Sequence, residues 1–130
     1  MIGLDTNVVV RYLTGDDRAQ AAAAARMIDS LSPGAPGFLS LVVIAELVWV
    51  LESSYNFKKN EIMGVLENLL RSEEIVIERA EIVAQALRTF GVSRAGFTDC
   101  LIERCGHAAE CQYTATIDKH AAAAGMRLLG

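Results

Sequence analysis

The sequence predicts an α/β fold with a mostly parallel sheet, in a single domain that covers residues 1–130. Short apolar runs alternate along the chain with longer stretches whose apolar residues recur at helical spacing, which is typical of strand–helix layers. The chain is too short for two ordinary domains. Its 52% hydrophobic content and mean hydropathy of +0.30 provide a substantial core and argue against disorder.

The first part of the chain is punctuated by acidic helix caps and by one proline-rich loop. Asp16 or Asp17 is placed to cap the alanine-rich second helix, and both prolines lie in the loop SPGAPG. The predicted elements, in order, are a strand at 1–5, a helix at 7–14, a helix within GDDRAQAAAAARMIDSL, a strand at FLS, a helix at about 42–53 and a helix at about 58–71.

The second part continues the same alternation and ends in a strand. Gly91 and Gly125 are predicted to end helices, because glycine adopts the left-handed conformation that closes many of them. The predicted elements, in order, are a strand at EIVIE, a helix at AEIVAQALRTFG, a helix at about 98–109, a strand at CQYTAT, a helix at IDKHAAAAG and a strand at MRLL.

The sequence argues against a membrane-spanning protein and against a secreted one, and it indicates a cytoplasmic location. The most apolar stretch is interrupted by Glu46 and is shorter than a bilayer-spanning helix, so we expect no membrane span. No basic segment precedes an apolar one at the N-terminus, so a secretory signal is not expected and the predicted location is cytoplasmic. The spacing of Cys100, Cys105 and Cys111 fits neither a zinc site nor a redox motif, and we interpret them as structural thiols.

Glu46 is the most informative acidic residue of the sequence. On a helix its neighbours three and four positions away are all apolar: Val42, Val43, Trp49 and Val50. A carboxylate in such surroundings loses hydration and is stabilised by a cation or a partner. The alternative is an exposed glutamate on a very apolar helix. The pattern favours a paired or metal-bound Glu46.

Three aspartates lie where sites of this architecture form, at strand ends and helix starts. Asp5 ends the first predicted strand, Asp99 opens a helix, and Asp118 follows the strand YTAT. Each has an alternative role as a helix cap, and for Asp99 the cap could instead be Thr98. For Asp118 taken alone, the capping role is the better interpretation.

Together, the four acids come from four segments that can converge at one edge of a parallel sheet. Four such charges in one pocket require a cation, and oxygen ligands suit Mg²⁺ or Mn²⁺. The net charge of −4 comes from 16 acids and 12 bases, which taken alone argues against nucleic-acid binding. Without the quartet, acids and bases are equal at 12 each, so a nucleic-acid substrate is not excluded.

Four stretches carry a resemblance to PIN-domain ribonucleases, in particular to the VapC-type toxins of bacterial toxin–antitoxin pairs. They are LDTNVVVRYL, SLVVIAELVWVL, FTDCLIERCGHAAEC and TATIDKHAAAAGMRLL, and their order and spacing extend the resemblance over essentially the whole chain. The resemblance implies a three-layer α/β/α fold with about five mostly parallel strands. It also implies an endoribonuclease that depends on Mg²⁺ or Mn²⁺ and cleaves RNA through a metal-activated water.

By the same resemblance, the metal-binding and catalytic quartet is Asp5, Glu46, Asp99 and Asp118. Thr6 and Asn7 match polar residues that support the first aspartate, and Thr116 matches a hydroxyl position that lines the site. Many relatives carry a further acid where this chain has Gly96, which puts a second metal ion in doubt. The resemblance also implies a homodimer, and a small VapB-like antitoxin whose tail enters the acidic site with an arginine or lysine.

Several bases lie near the quartet in sequence and are candidates for RNA phosphate contacts, namely Arg11, Arg94, Lys119 and His120. For each one singly, ordinary solvated surface is the better interpretation. A dehalogenase-like phosphatase would need an acid where this chain has Asn7, and no phosphate-binding glycine motif occurs. The remaining alternatives are a non-catalytic PIN-like RNA-binding or scaffold domain and a PIN nuclease outside a toxin–antitoxin pair.

Overall fold

The computed structural model describes all residues, 1–130, as two compact units, Met1–Glu78 and Arg79–Gly130. The first unit contains β1 (Ile2–Gly3), α1 (Thr6–Thr14), α2 (Arg18–Asp29), β2 (Gly37–Leu39), α3 (Leu41–Tyr55), α4 (Lys59–Arg71) and β3 (Ile75–Ile77). The second contains α5 (Ala80–Val92), α6 (Phe97–Ala108), β4 (Ala115–Thr116), α7 (Lys119–Ala122) and β5 (Arg127–Leu128).

The first unit is built on a three-stranded parallel sheet in the order β1-β2-β3. Gly3 pairs with Phe38 in β2, and Phe38 pairs with Val76 in β3. Because β1 and β2 are parallel, Asp5 and Ser40 follow the strands at the same edge of this sheet. Helices α1 and α3 therefore both start at the carboxyl edge, where ligand sites of α/β folds form.

The core of the first unit comes from α3 and its neighbours. Leu47 and Leu51 on α3 and Ile62 and Leu66 on α4 are fully buried, as is Leu39 at the end of β2. Replacing one of these leucines with alanine typically costs about 2–5 kcal/mol, because lost burial and the remaining cavity add together. This packing holds the helix that carries Glu46.

A polar network joins α1, α3 and the α1–α2 turn within the first unit. The Tyr55 hydroxyl donates to Asp16 Oδ2 at 2.6 Å and accepts from Arg11 at 3.0 Å. Arg11 also forms an ion pair with Asp16 at 3.0 Å and donates to Gln20 at 2.6 Å. Arg11 thus has three partners inside its own unit.

The second unit packs α5 against α6 beside a two-stranded parallel sheet. The rings of Phe90 and Phe97 meet edge to face, with centroids 6.0 Å apart. In the sheet, Ala115 pairs with Arg127 and Thr116 pairs with Leu128. This pairing fixes the segment that leads from β4 to Asp118.

All strand pairs are parallel, which confirms the predicted α/β class, but the strands differ from prediction in grouping and length. The predicted sheet of about five strands is present as one three-stranded and one two-stranded sheet. The predicted strands at 1–5 and CQYTAT are reduced to two paired residues each. Apolar patterning shows which segments are extended, whereas pairing requires a partner at hydrogen-bonding distance.

Helix ends were predicted less accurately than helices. Asp17 is the cap of α2, as one of the two predicted choices. The prediction that Gly91 closes α5 is wrong, because the helix continues through it to Val92.

Cys100 is buried, whereas Cys111 is exposed, and the three cysteines form no disulfide. No helix of the structure has both the length and the apolar character that crossing a membrane requires.

Candidate metal and nucleic-acid site

Asp5 follows β1 and caps α1. Its Oδ1 accepts the Thr6 N–H at 2.8 Å, while its own backbone is extended, as a cap requires. The capping role considered from the sequence is therefore confirmed. The side chain is exposed, and its second carboxylate oxygen lies outside this cap hydrogen bond. Capping and metal binding are compatible, because each uses a different oxygen.

Glu46 lies in the second turn of α3, and its surroundings differ from the prediction. The side chain is exposed. Val42 and Trp49, one turn to either side, are 76% and 65% exposed, so the apolar residues near Glu46 do not bury it. The argument that desolvation alone demands a cation at Glu46 is therefore wrong. The residue remains available to a ligand because water reaches it.

Thr6 and Asn7 begin α1 and differ sharply in environment. Thr6 is 3% exposed, and its Oγ1 is buried without a hydrogen-bond partner. An unpaired buried hydroxyl costs about 1–3 kcal/mol, so its retention next to Asp5 is unusual. Asn7 is exposed in the first turn. The Thr6 hydroxyl makes no hydrogen bond to Asp5, which receives only the Thr6 backbone N–H, so the predicted supporting roles of Thr6 and Asn7 stay predictions.

Asp99 lies in the first turn of α6 and does not cap it. The cap position belongs to Gly96, so the predictions that Thr98 or Asp99 caps this helix are wrong. A side chain on Gly96 would place its Cβ 4.0 Å from Asp99 Oδ2. Gly96 has no side chain, so the further acid that the family resemblance leads us to expect at this position is absent.

Asp118 follows β4 and caps α7. Its Oδ1 accepts the His120 N–H at 2.8 Å, which confirms the capping interpretation. Its own N–H is held by Thr116 Oγ1 at 3.1 Å. Thr116 thus orients the backbone of Asp118, which supports the predicted role of this hydroxyl beside the fourth acid.

The second unit brings Asp99 and Asp118 together electrostatically. Burial raises the pKa of Asp99, the negative charge of Asp118 raises it further, and the His120 ring partly opposes both. The mutual repulsion of two nearby carboxylates is relieved when one binds a proton or when a cation lies near both. The sequence offered His120 as a candidate contact for RNA phosphate, and its position two residues after Asp118 also brings it near the acidic pair. Its effect on Asp99 was not predicted from the sequence.

The structure groups no three His, Cys, Asp or Glu side chains as ready metal ligands. The donors that it does place together are carboxylates, and the oxygen chemistry of Asp99 and Asp118 fits a hard divalent ion. Thr116 and the α7 cap hold Asp118 in place for such an ion. The four-acid metal site remains a prediction, for which this pair provides the partial framework.

The candidate RNA contacts fall into two groups. Arg94 and Lys119 are exposed. Arg11 is held by Asp16, Gln20 and Tyr55, so a phosphate would have to compete with these partners. The geometry therefore favours a structural role for Arg11.

Glu103 forms a two-point ion pair with Arg104, at 2.6 and 3.1 Å, and is only 15% exposed.

An apolar cavity of about 500 Å³ opens in the first unit among α1, α2, α4 and β3. Tyr12, Ile28, Leu69 and Ile75 are among its lining residues, and none of the four predicted metal ligands is. The candidate site therefore differs from this cavity. Sequence periodicity did not reveal the cavity, because its walls come from separate helices.

A comparison with known protein families assigns the chain to one of them. The model of the PIN domain family matches residues 2–125. The chain therefore belongs to the PIN domain family, and the predicted α/β PIN fold is confirmed.

The chain is also similar to an individual ribonuclease. The VapC ribonuclease of Aquifex aeolicus (strain VF5) is 29% identical to this chain over 99 residues, which cover 75% of the chain and 73% of that protein. The resemblance to VapC-type ribonucleases predicted from the sequence is thus confirmed.

Proposed function

We propose that this protein is a divalent-metal-dependent endoribonuclease and the toxin of a VapBC-type toxin–antitoxin pair. The observation that carries the proposal is the pair of carboxylates, Asp99 and Asp118, that the second unit places within electrostatic reach. Membership of the PIN domain family and similarity to a VapC ribonuclease support the same chemistry.

In the proposed reaction, Asp5, Glu46, Asp99 and Asp118 hold one or two Mg²⁺ or Mn²⁺ ions. Such an ion, when bound, activates water for attack on a phosphodiester and offsets charge on the phosphate. The protein holds Asp118 through the Thr116 hydroxyl and the α7 cap, so this carboxylate keeps its direction. Asp99, partly buried, would supply a second carboxylate, and the negative charge of Asp118, which raises the pKa of Asp99, is the charge that a cation would offset.

The proposed partners follow from the toxin assignment. RNA is the substrate, and a small VapB-like antitoxin inserts an arginine or lysine of its tail among the quartet carboxylates. A cation delivered by the antitoxin would relieve the same repulsion as a metal ion and would therefore compete with it. A homodimer and a cytoplasmic location complete the proposal.

The deciding experiment compares the wild-type protein with Asp5→Asn, Glu46→Gln, Asp99→Asn and Asp118→Asn on single-stranded and looped RNA. Cleavage is measured with Mg²⁺, with Mn²⁺ and with a chelator. We expect each substitution to slow cleavage by at least about a hundredfold, and the chelator to abolish it. Glu73→Gln, which changes an exposed acid of the first unit, is the matched control and should cleave normally.

Equal cleavage by the wild type and the quartet variants, or cleavage in the chelator, would contradict the mechanism. RNA binding without metal-dependent cleavage would instead identify a scaffold or RNA-binding domain. For the toxin role, expression should arrest growth, and Asp99→Asn should abolish the arrest. Cleavage without growth arrest would indicate a PIN nuclease outside a toxin–antitoxin pair.

A further inference from the structure

One apolar side chain stands out beside the acidic pair. Ile117 is 84% exposed, although it lies directly between Thr116 and Asp118. Single exposed apolar residues are common on protein surfaces and by themselves need no function. The position of Ile117, between a hydroxyl that orients the site and a candidate metal ligand, is the reason to ask what covers it.

The backbone on both sides of Ile117 is held in place. The Leu129 N–H donates to the Thr116 carbonyl at 2.8 Å, as part of the β4–β5 pairing. On the other side, the Asp118 N–H donates to Thr116 Oγ1, and the Asp118 carboxylate caps α7. Isoleucine is also stiff at χ1 because it is branched at Cβ. Packing of a ligand on Ile117 therefore costs little conformational entropy of this side chain.

The residues that follow Ile117 select the kind of ligand. Asp118 is a candidate ligand of the metal that contacts the scissile phosphate, and the next two residues are Lys119, an exposed cation, and His120, an exposed imidazole. An apolar side chain beside phosphate-binding groups matches a nucleotide, which carries an apolar base face next to its charged phosphate. Isoleucine is among the apolar side chains that proteins insert between the base steps of duplex DNA, where it contacts the faces of the bases.

We infer that Ile117 packs against a base of single-stranded RNA adjacent to the scissile phosphate, and so contributes to substrate affinity and positioning. This inference rests on the proposed ribonuclease function. It assigns to Ile117 a contact with the base, whereas the quartet acts at the phosphate. Single-stranded or looped RNA is the fitting substrate, because only unstacked bases expose a face.

The test uses the full chain with Ile117→Thr and Ile117→Leu, compared with the wild type. Val92→Thr is the matched control, because Val92 is an 88% exposed β-branched residue of the same unit. Steady-state cleavage of a single-stranded RNA gives KM and kcat. Equilibrium binding of the same RNA is measured in the Asp99→Asn background, with and without each Ile117 substitution. The melting temperature shows whether folding is affected.

We expect Ile117→Thr to raise KM and Kd by about three- to tenfold, as loss of a small apolar contact predicts, with the melting temperature unchanged. Ile117→Leu, which stays apolar, should bind within about twofold of the wild type. On a strand of the same length whose nucleotides lack bases, the wild type and Ile117→Thr should bind equally weakly. This last comparison separates a base contact from a phosphate contact.

Several outcomes would overturn the inference. Normal metal-dependent cleavage with an unchanged KM for Ile117→Thr would remove the role of Ile117 and leave the proposed function intact. An equal loss of binding on the base-lacking strand would show that Ile117 acts through the backbone. If the wild type neither binds nor cleaves RNA, the proposed function fails, and the inference fails with it.

Discussion

The carboxylate of Asp118 lies near enough to Asp99 that its negative charge adds to the effect of burial and raises the pKa of Asp99. The two residues are on different elements of the second unit, the first turn of α6 and the cap of α7. Their proximity is thus a property of the fold, and it concentrates negative charge where the site is proposed.

Replacing Asp118 with asparagine should change how stability depends on pH. The pKa of Asp99 is raised in the folded protein, so its carboxyl stabilises the fold when it is protonated. This stabilisation is fully present below the ordinary pKa of 3.8 and is lost as pH rises through the raised value. Asp118→Asn removes one cause of this rise while keeping a good helix cap. In a chelator, the variant should therefore gain stability relative to the wild type as pH rises through this range.

The measurement is denaturant unfolding over roughly pH 3 to 6, the range in which carboxyls titrate. Glu110→Gln, an exposed acid of the same unit, is the control and should leave the pH dependence unchanged. Parallel curves for the wild type and Asp118→Asn would contradict the coupling of the two acids.

The Tyr55 hydroxyl should stabilise the first unit, most strongly above the acid range. Its hydrogen bond is the largest cause of the lowered pKa of Asp16, with smaller contributions from Thr14 and Arg11 and an opposing effect of desolvation. A lowered pKa gives stability that is present above 3.8 and is lost as pH falls through the depressed value. Tyr55→Phe should therefore weaken this acid dependence.

Near neutral pH, Tyr55→Phe should also lower the free energy of unfolding, because the hydrogen bonds of the hydroxyl to Asp16 and Arg11 are lost. Thermal and urea unfolding measure both effects. Tyr12→Phe, at a tyrosine that is 46% exposed, is the control, and its curve should follow that of the wild type. Identical behaviour of the two variants would show that the network adds nothing to stability.

Gly96→Asp should strengthen divalent-ion binding. The backbone φ of Gly96 is −70°, which any residue adopts, and a Cβ there would lie no closer than 4.0 Å to Asp99. The substitution therefore adds a carboxylate beside Asp99 without strain. We expect Mn²⁺ to bind about tenfold tighter, because affinity rises with the number of charged ligands.

Titration calorimetry with Mn²⁺ checks this expectation. Gly96→Asn is the matched control, because asparagine caps the helix as well as aspartate but carries no charge. Equal affinities of the two variants would show that position 96 does not contribute to the metal site.

Lys119 and Arg11 should respond differently to substitution. If Lys119 contacts RNA phosphate, Lys119→Gln weakens RNA binding and reduces the salt dependence, the slope of log K against log salt, by about 1. Arg11→Gln should lower the melting temperature and leave that slope unchanged, since Arg11 is held by Asp16, Gln20 and Tyr55. Binding titrations at several salt concentrations distinguish the two. A reduced slope for Arg11→Gln would restore it as an RNA contact.

Much of the fold was predictable because helices have strong local signals. The apolar spacing of α4 and the Asp17 cap of α2 both depend on residues within a few positions of each other. Strands were less predictable, since β1 and β4 are only two residues long and exist by pairing with distant segments. The continuation of α5 through Gly91 shows the opposite error, in which packing overrides a local stop signal.

The features of the candidate site also differ in how far the sequence could predict them. Asp5 and Asp118 were found from position, because both follow strands and cap helices. The exposure of Glu46 was not predictable, since spacing on a helix does not show which apolar neighbours are covered. Nor was the engagement of Arg11, because its partner Tyr55 is 44 residues away.

The sequence by itself determined most of the helices, the aspartate caps of α1, α2 and α7, and the α/β class, and it nominated the four acids of the proposed site. These follow from residue type and short-range spacing, which act within one element. Only the tertiary structure decided that Asp99 and Asp118 interact, that Arg11 is held by Tyr55, and that Ile117 stays uncovered beside Asp118. Such distances depend on how separate elements pack, and packing is a property of the whole chain.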